Sequence, residues 1–516
     1  MFYNFPLHLH SDFQGVFMLA DFRKLFRLSA IYGLGTLSTK LAGFVLIPLY
    51  TRSFSVTQFG ILGLLEVSAA VVIAIFGFSL YSGFFRWYWD KSAEGKKESL
   101  FFTITVFQVV IVLLAYLALL PFLKYFSVLI LDSADYSYLL HLMLISSLFQ
   151  VVLLMPNTLL RLQEKPWLFT LANLLQLVFS LSVTIYFIVY RKAGIEGVYY
   201  GQIAGSLAFA AVLAKYSFRN MIFRFERDLL RAILLYCLPL FLSSVALVML
   251  NVTDRYSLKV FGNLANVGLY SYGFKLANTL NVFVITSVNF AIQPMIFRMM
   301  NDPGNKRFYA RLLTYYTYGT MIIALIMMVF GLEITKLFAR RTEYFDAWYI
   351  FPFIIYSIIF GMMKDVATTG LSITKKTKII AFTVVVTAVL NLMLNIVLIH
   401  WFGNQGAAIS KMLSMIVFFV LTLYFAQKAY SIPYELKRVL LMLIVGAVIY
   451  GISLLFNTLE VIPRVAVKTL LIIIYPFVLF LLGFYHETEL NSIRSGWRKW
   501  KNPLAFAENV RRLTNM

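Results

Sequence analysis

Charged residues and cysteine are scarce in this chain, and acidic residues are scarcer than basic ones. Charged residues make up 13% of its 516 residues, with 23 Asp and Glu against 45 Lys and Arg. A soluble globular domain usually has about 25% charged and about 45–50% apolar residues, whereas the hydrophobic share here is 61%. The composition therefore excludes a soluble globule and indicates a polytopic membrane protein.

Cysteine occurs once, as Cys237 inside an apolar run, so no intramolecular disulfide can form. The sequence also lacks an Asp-x-Asp motif, a Gly-rich phosphate loop and a His/Cys cluster with metal-ligand spacing. These absences argue against an enzyme and against a resident metal or cofactor. They also exclude an ATP-driven pump formed by this chain alone.

The net charge of +22 would suggest a nucleic-acid partner if the protein were soluble. Here the basic residues lie in short loops between apolar runs, so the charge reflects membrane topology and contact with anionic membrane lipid, and no nucleic-acid partner is expected. The face that carries both termini is the richer in Lys and Arg. The positive-inside rule therefore predicts that both termini are cytoplasmic.

About 14 apolar runs are long enough to cross a bilayer, which takes about 20 residues each. The predicted spans are 28–50, 60–84, 100–123, 138–160, 167–190, 194–216, 232–253, 266–294, 310–333, 346–370, 379–401, 404–426, 438–456 and 465–485. The fold class that follows is all-α, with transmembrane helices joined by short loops.

The spans form two repeated halves. Tyr50-Thr51-Arg52 ends the first span and Thr253-Asp254-Arg255 ends the seventh, while Gly194-Ile195-Glu196-Gly197 and Gly403-Asn404-Gln405-Gly406 open the sixth and twelfth. The matching segments lie about 200 residues apart, which indicates an internal repeat. The predicted organisation is a cytoplasmic tail (1–25), an N-lobe of six helices (26–216), a basic cytoplasmic connector (217–231), a C-lobe of six helices (232–427), two further helices (437–485) and a basic cytoplasmic tail (486–516).

Charged side chains interrupt several spans. Each lysine at the bilayer centre costs about 2.5–3.5 kcal/mol on insertion scales, so these groups should face a hydrated interior. The residues concerned are Lys40, Lys275, Lys364, Lys411, Glu66 and Asp365. We therefore predict a cationic cavity lined by the four lysines, and we expect loss of Lys275 or Lys411 to reduce transport without reducing the amount of protein.

Other interpretations of these residues stay open. Arg52 and Arg255 occupy matched repeat positions and could line the cavity or snorkel to the interface. Lys40 and Glu66 could form a structural ion pair or a gate. Asp365 is expected to find a partner on another helix, because it and Lys364 point about 100° apart on one helix. Glu66 or Asp365 could also bind a proton or sodium ion, which would couple transport to a gradient.

On these spans and paired motifs, the chain resembles the polysaccharide-export branch of the multidrug/oligosaccharidyl-lipid/polysaccharide (MOP) exporter superfamily, which includes the O-antigen flippases. The resemblance implies a MATE-like fold with two six-helix lobes around a cleft and two extra C-terminal helices. It implies a flippase that moves undecaprenyl-pyrophosphate-linked oligosaccharide across the bacterial cytoplasmic (inner) membrane for polysaccharide, O-antigen or lipopolysaccharide biosynthesis. Glycosyltransferases or a polymerase of the same pathway would then be possible partners.

Two alternatives remain. A cation-coupled multidrug exporter of the same superfamily should prefer intramembrane carboxylates, whereas the lysines here outnumber them. A membrane glycosyltransferase or polymerase would need a sizeable loop for its chemistry, and the loops on the less basic face are short.

Overall fold

The computed structural model describes residues 35, 43–302, 304–487 and 489–491. The predicted N-terminal tail, most of the first span with Lys40, and most of the C-terminal tail lie outside the described residues.

The described chain is helical and contains no strand, which confirms the predicted fold class. The α-helices are α1 (Ile47–Ser53), α2 (Val56–Gly77), α3 (Leu80–Trp87), α4 (Lys97–Leu119), α5 (Leu123–Leu131), α6 (Ser137–Leu162), α7 (Pro166–Ile185), α8 (Glu196–Arg219), α9 (Arg227–Phe261), α10 (Leu264–Ala277), α11 (Thr286–Arg298), α12 (Asn305–Val329), α13 (Gly331–Phe338), α14 (Phe351–Ile373), α15 (Thr377–Ala429), α16 (Leu436–Leu454) and α17 (Val461–Leu481).

Eleven helices in the described residues are long and apolar enough to cross a membrane, so the predicted count of about 14 is not confirmed. The first predicted span lies mostly outside the described residues. The eighth is divided into α10, a π-helical segment at Leu280–Ile285 and α11. The eleventh and twelfth are joined in α15.

Helix α15 is a hairpin that turns at Gly403. This residue has φ 52° and ψ −127°, a positive-φ conformation that glycine adopts without a steric penalty. Across the turn, the Asn391 amide nitrogen donates to Ser414 Oγ at 3.2 Å, so the two arms run side by side. The glycine motif that predicted the start of a span therefore forms the turn between two spans.

The chain groups into two compact units. One comprises Met1–Lys306 with Gly331–Ile432, and the other comprises Arg307–Phe330 with Pro433–Met516.

Within the second unit, an ionic cluster joins the start of α16 to the segment after α17. Arg438 bonds to Glu435 and Glu489, with N–O distances of 2.7 and 2.8 Å. Burial alone would raise the pKa of Glu489, but hydrogen bonds from Tyr315, the His486 N–H and Arg438 outweigh it and lower that pKa below its usual value. Glu489 is therefore ionised at neutral pH and ties the segment after α17 to α12 and α16.

Within the first unit, α2 and α10 meet backbone to backbone. A Cβ added at Gly60 would lie 1.9 Å from the Leu264 carbonyl oxygen, and one at Gly268 would lie 1.9 Å from the Val56 carbonyl oxygen. Only glycine permits this approach, as in the small-residue interfaces of other membrane helices. The contact lies close to the first residues of both helices.

We expect Gly60→Ala to destabilise the protein by about 1–3 kcal/mol, the usual range for an overpacked contact. The Cβ would force α2 away from α10. The midpoint of thermal unfolding in detergent should fall accordingly. Gly361→Ala is the matched control, since a Cβ there meets no atom within 4 Å. Equal midpoints for the two variants would contradict the close contact.

Candidate functional site

An ion pair links α2 to α10 beyond the glycine contact. Lys275 Nζ lies 2.5 Å from Glu66 Oε1. The same ammonium lies 5.6 Å from the ring centroid of Tyr50 and 5.4 Å from that of Phe59, within cation–π range. Lys275 is thus held by one carboxylate and two aromatic rings.

A cavity of about 380 Å³, here called the polar cavity for the polar side chains that interrupt its apolar wall, opens on one side of this pair. Its walls come from α1 and the residues just before it, from α2, α6, α7 and α8, and from Lys275 of α10. The lining residues are Gly43, Leu46, Tyr50, Glu66, Ala69, Ala70, Ile73, Gln150, Gln176, Leu177, Ser180, Thr184, Val198, Tyr199, Gln202, Ser206 and Lys275. Apart from the one ion pair, its polar side chains are neutral amides and hydroxyls.

A second cavity of about 240 Å³, here called the adjoining cavity, also borders the ion pair. Its walls include Glu66, Lys275, Arg255, Asn278 and Thr279. The pair therefore lies on the wall of both cavities, and its movement would change the shape of each.

A set of contacts, here called the end cluster, joins α1 and the start of α2 to the region from α13 to α14. Thr51 Oγ1 donates to the Phe338 carbonyl at 2.7 Å. Tyr344 Oη donates to the Phe54 carbonyl at 3.1 Å. The Val56 N–H donates to Glu343 Oε2 at 3.5 Å. Together with the glycine contact, these bonds close the end of the helices at which α2 and α10 begin.

Lys411 lies in a different environment, inside a buried network. Its ammonium donates to the Leu250 carbonyl at 2.6 Å and to Asn251 Oδ1 at 3.1 Å, and lies 3.5 Å from Asp254 Oδ2. Asp254 also accepts hydrogen bonds from Tyr270 and Asn395. This side chain lines neither cavity and has the features of a structural ion pair.

The remaining candidates differ from one another. Arg255 is buried, donates from Nε to Ser271 Oγ at 3.1 Å and lines the adjoining cavity. It does not snorkel from a span end, because α9 continues to Phe261. Arg52 is exposed in the last turn of α1. Lys364 contacts its neighbour Asp365 and lies 4.9 Å from the Phe418 ring centroid. The partner that the sequence predicts for Asp365 on another helix is not found among the described residues.

The comparison with known proteins identifies the family to which the chain belongs. Residues 25–300, more than half of the chain, match the family model described as "Polysaccharide biosynthesis protein". The chain belongs to this polysaccharide biosynthesis family. A comparison with curated protein sequences found no match.

Several solved structures share the family member's fold. The lipid II flippase MurJ in an inward closed conformation aligns with a TM-score of 0.69 and 14% identity over 88% of this chain and 100% of that chain. An inward-facing multidrug resistance MATE transporter of the MOP superfamily aligns with a TM-score of 0.60 and 12% identity over 78% of this chain and 94% of that chain. A variant of the Vibrio cholerae MATE transporter VcmN aligns with a TM-score of 0.52 and 18% identity over 79% of this chain and 96% of that chain.

The family member therefore has the fold of MurJ and of MATE transporters, one of which is described as belonging to the MOP superfamily that the sequence resembles. By their descriptions, these three structures are one flippase and two transporters. The fold is confirmed as the one shared by MurJ and the MATE transporters.

The predicted convergence of lysines on one cavity does not appear in the described residues of this family member. Lys275 pairs with Glu66, Lys411 with Asp254 and Lys364 with Asp365. Of these three lysines, Lys275 alone lines the polar cavity. Lys40 lies outside the described residues, although Gly43, on the same predicted helix face, lines the cavity. In each of these three pairs, a carboxylate neutralises a lysine that the sequence predicts in a cationic cavity.

Sequence reasoning missed two groups of residues. Asp254 is predicted at a span end, although α9 continues past it to Phe261, so its carboxylate lies inside the helix. Gln150, Gln176 and Gln202 lie inside predicted spans and line the cavity. Uncharged polar side chains near the middle of apolar spans were the available signal.

We expect Lys411→Met to destabilise the polysaccharide biosynthesis protein by about 3–5 kcal/mol, because Asp254 would be left buried without a counter-charge. The amount of folded protein should fall, contrary to the expectation from the sequence that protein abundance is unaffected. Thermal unfolding of the purified variant measures the effect. Adding Asp254→Asn to Lys411→Met should restore much of the loss, and a stable single variant would contradict the buried pair.

Proposed function

We propose that the chain is a flippase that moves undecaprenyl-pyrophosphate-linked oligosaccharide across the bacterial cytoplasmic membrane for polysaccharide biosynthesis, with O-antigen or lipopolysaccharide as the product class. The observation that carries this proposal is the polar cavity among membrane-spanning helices, with Lys275 and Glu66 on its wall. A pyrophosphate and a glycan cannot cross hydrocarbon unaided, whereas a polar cavity can shelter both.

Lys275 is the described lysine that meets this substrate. Its ammonium suits a phosphate group as a compact point charge. The Glu66 carboxylate contacts this ammonium at 2.5 Å. A phosphate can therefore bind the ammonium only when it displaces the carboxylate or when the carboxylate is protonated. Substrate binding then breaks the ion pair between α2 and α10. Binding of a proton or sodium ion by Glu66 would provide the same release and would couple transport to an ion gradient, with Asp365 as the other candidate.

The end cluster and the glycine contact supply the second part of the mechanism. With the basic face in the cytoplasm, these contacts lie on the periplasmic side and close the cavity to it. Both termini are then cytoplasmic. Alternating access requires this end to open once the head group has bound, while the polyprenyl chain stays in the lipid.

The cytoplasmic connector fits this orientation. Glu226 accepts contacts from Lys96 at 3.5 Å and Arg224 at 3.0 Å, which fixes the connector against the start of α4. The other basic residues of the connector remain available to anionic lipid headgroups. Glycosyltransferases or a polymerase of the same pathway are the protein partners that this function implies.

The alternatives are less well supported by the same geometry. A cationic drug needs a free carboxylate, yet Glu66, Asp254 and Asp365 each contact a lysine. A glycosyltransferase would need a soluble catalytic segment, and the described loops between the helices are short.

We expect Lys275→Met to reduce surface polysaccharide about fivefold or more in a strain that lacks the chromosomal copy, because the phosphate loses its cation. Quantitative polysaccharide staining, with immunoblotting of the membrane fraction, measures this. Lys336→Met is the control, since Lys336 is an exposed residue near the end of α13. Wild-type polysaccharide with Lys275→Met would contradict the cavity role, and altered drug susceptibility instead would favour the multidrug exporter.

A further inference from the structure

The cavity has a glutamine on each of three neighbouring helices. Gln150 lies on α6, Gln176 on α7 and Gln202 on α8, and all three line the polar cavity. Polar side chains within membrane spans are expensive and are commonly functional. Three amides around one cavity therefore need a ligand or a structural partner.

Hydrogen bonds within the protein use only some of the donors and acceptors of these three amides. Ser146 Oγ donates to Gln202 Oε1 at 2.8 Å and accepts from Gln150 Nε2 at 3.4 Å. These bonds orient two of the amides and leave the Gln202 amide nitrogen available. The Gln176 side chain has no hydrogen-bond partner in the part of the chain that the structure describes.

Two buried hydroxyls in the wall are also without partners. Tyr199 and Ser206 are each 1% exposed, and neither hydroxyl oxygen has a hydrogen-bond partner among the described residues. A buried polar group without a partner is destabilising, so such groups usually meet water or a ligand. Both residues line the same cavity as the glutamines.

The charge of the wall restricts what the ligand can be. Among the described lining residues, the charged groups are Lys275 and Glu66, which neutralise each other. An acidic sugar would meet Glu66 and compete with the pyrophosphate for Lys275. Neutral sugar hydroxyls, in contrast, both donate and accept hydrogen bonds, as amides and hydroxyls do.

We propose that Gln150, Gln176 and Gln202, with Tyr199 and Ser206, form a subsite for uncharged sugar units of the transported glycan. This inference rests on the proposed function and assigns the chemical class of the glycan portion next to the pyrophosphate. The amides select the sugar, and Lys275 contacts the phosphate.

The test compares two probes on the purified full-length protein in lipid nanodiscs. One is the lipid-linked oligosaccharide that accumulates in a strain lacking this protein, and the other is undecaprenyl pyrophosphate without sugar. The variant Gln176→Met/Gln202→Met keeps side-chain volume and removes both amides. We expect it to weaken binding of the first probe about tenfold and to leave binding of the second unchanged. Leu174→Met, an apolar change at an exposed position of α7 that does not line the cavity, should affect neither probe.

The outcomes separate the subsite from the proposed function. Unchanged binding of the first probe by the double variant overturns the sugar subsite and leaves the flippase proposal standing. Equal losses for both probes also overturn it, because the amides would then act on the pyrophosphate or on the fold. If the wild type binds neither probe, the proposed function fails together with the subsite. Sugar analysis of the accumulated lipid should find an uncharged residue next to the pyrophosphate, and an acidic one there would contradict the inference.

Discussion

The backbone contact between α2 and α10 is the constraint on which the rest of the site depends. Two glycines, Gly60 and Gly268, let the helices approach to a distance that a Cβ would prevent. Farther along the same pair of helices, this spacing allows Lys275 to reach Glu66. The resulting ion pair forms part of the wall of two cavities, so closure at the end of the helices and the charge of the cavities are physically linked.

Charge neutrality within the membrane is the second general feature. A lone ammonium in hydrocarbon is strongly disfavoured, and each described lysine of the predicted set has a carboxylate within contact. The two kinds of pair differ in surroundings. Lys411 and Asp254 are enclosed by protein and satisfied by further hydrogen bonds, which suits a permanent structural element. Lys275 and Glu66 face space that a ligand can enter, which suits a pair that breaks and re-forms during transport.

Much of the fold could be predicted because hydropathy and the paired glycine motifs are local signals. They placed most of the spans and marked Gly403 as a boundary. Ion pairs are not local, since Glu66 and Lys275 are 209 residues apart in the chain. The lysines and the carboxylates Glu66 and Asp365 were therefore identified from the sequence, but the pairing of each lysine with its carboxylate was not. The glutamines were missed because one uncharged amide in an apolar span is a weak signal until three helices bring their amides to the same cavity.

The account requires the closed end of α2 and α10 to open during transport, and a distance measurement tests this most directly. Spin labels at Thr57→Cys on α2 and Val260→Cys on α9, both exposed positions, report on that end in a Cys237→Ser background by pulsed electron paramagnetic resonance. Without substrate, one short distance should dominate. Addition of the accumulated lipid-linked oligosaccharide should produce a second, longer population, and Glu66→Gln should increase that population even without substrate. A single unchanged distance under all these conditions would contradict the account.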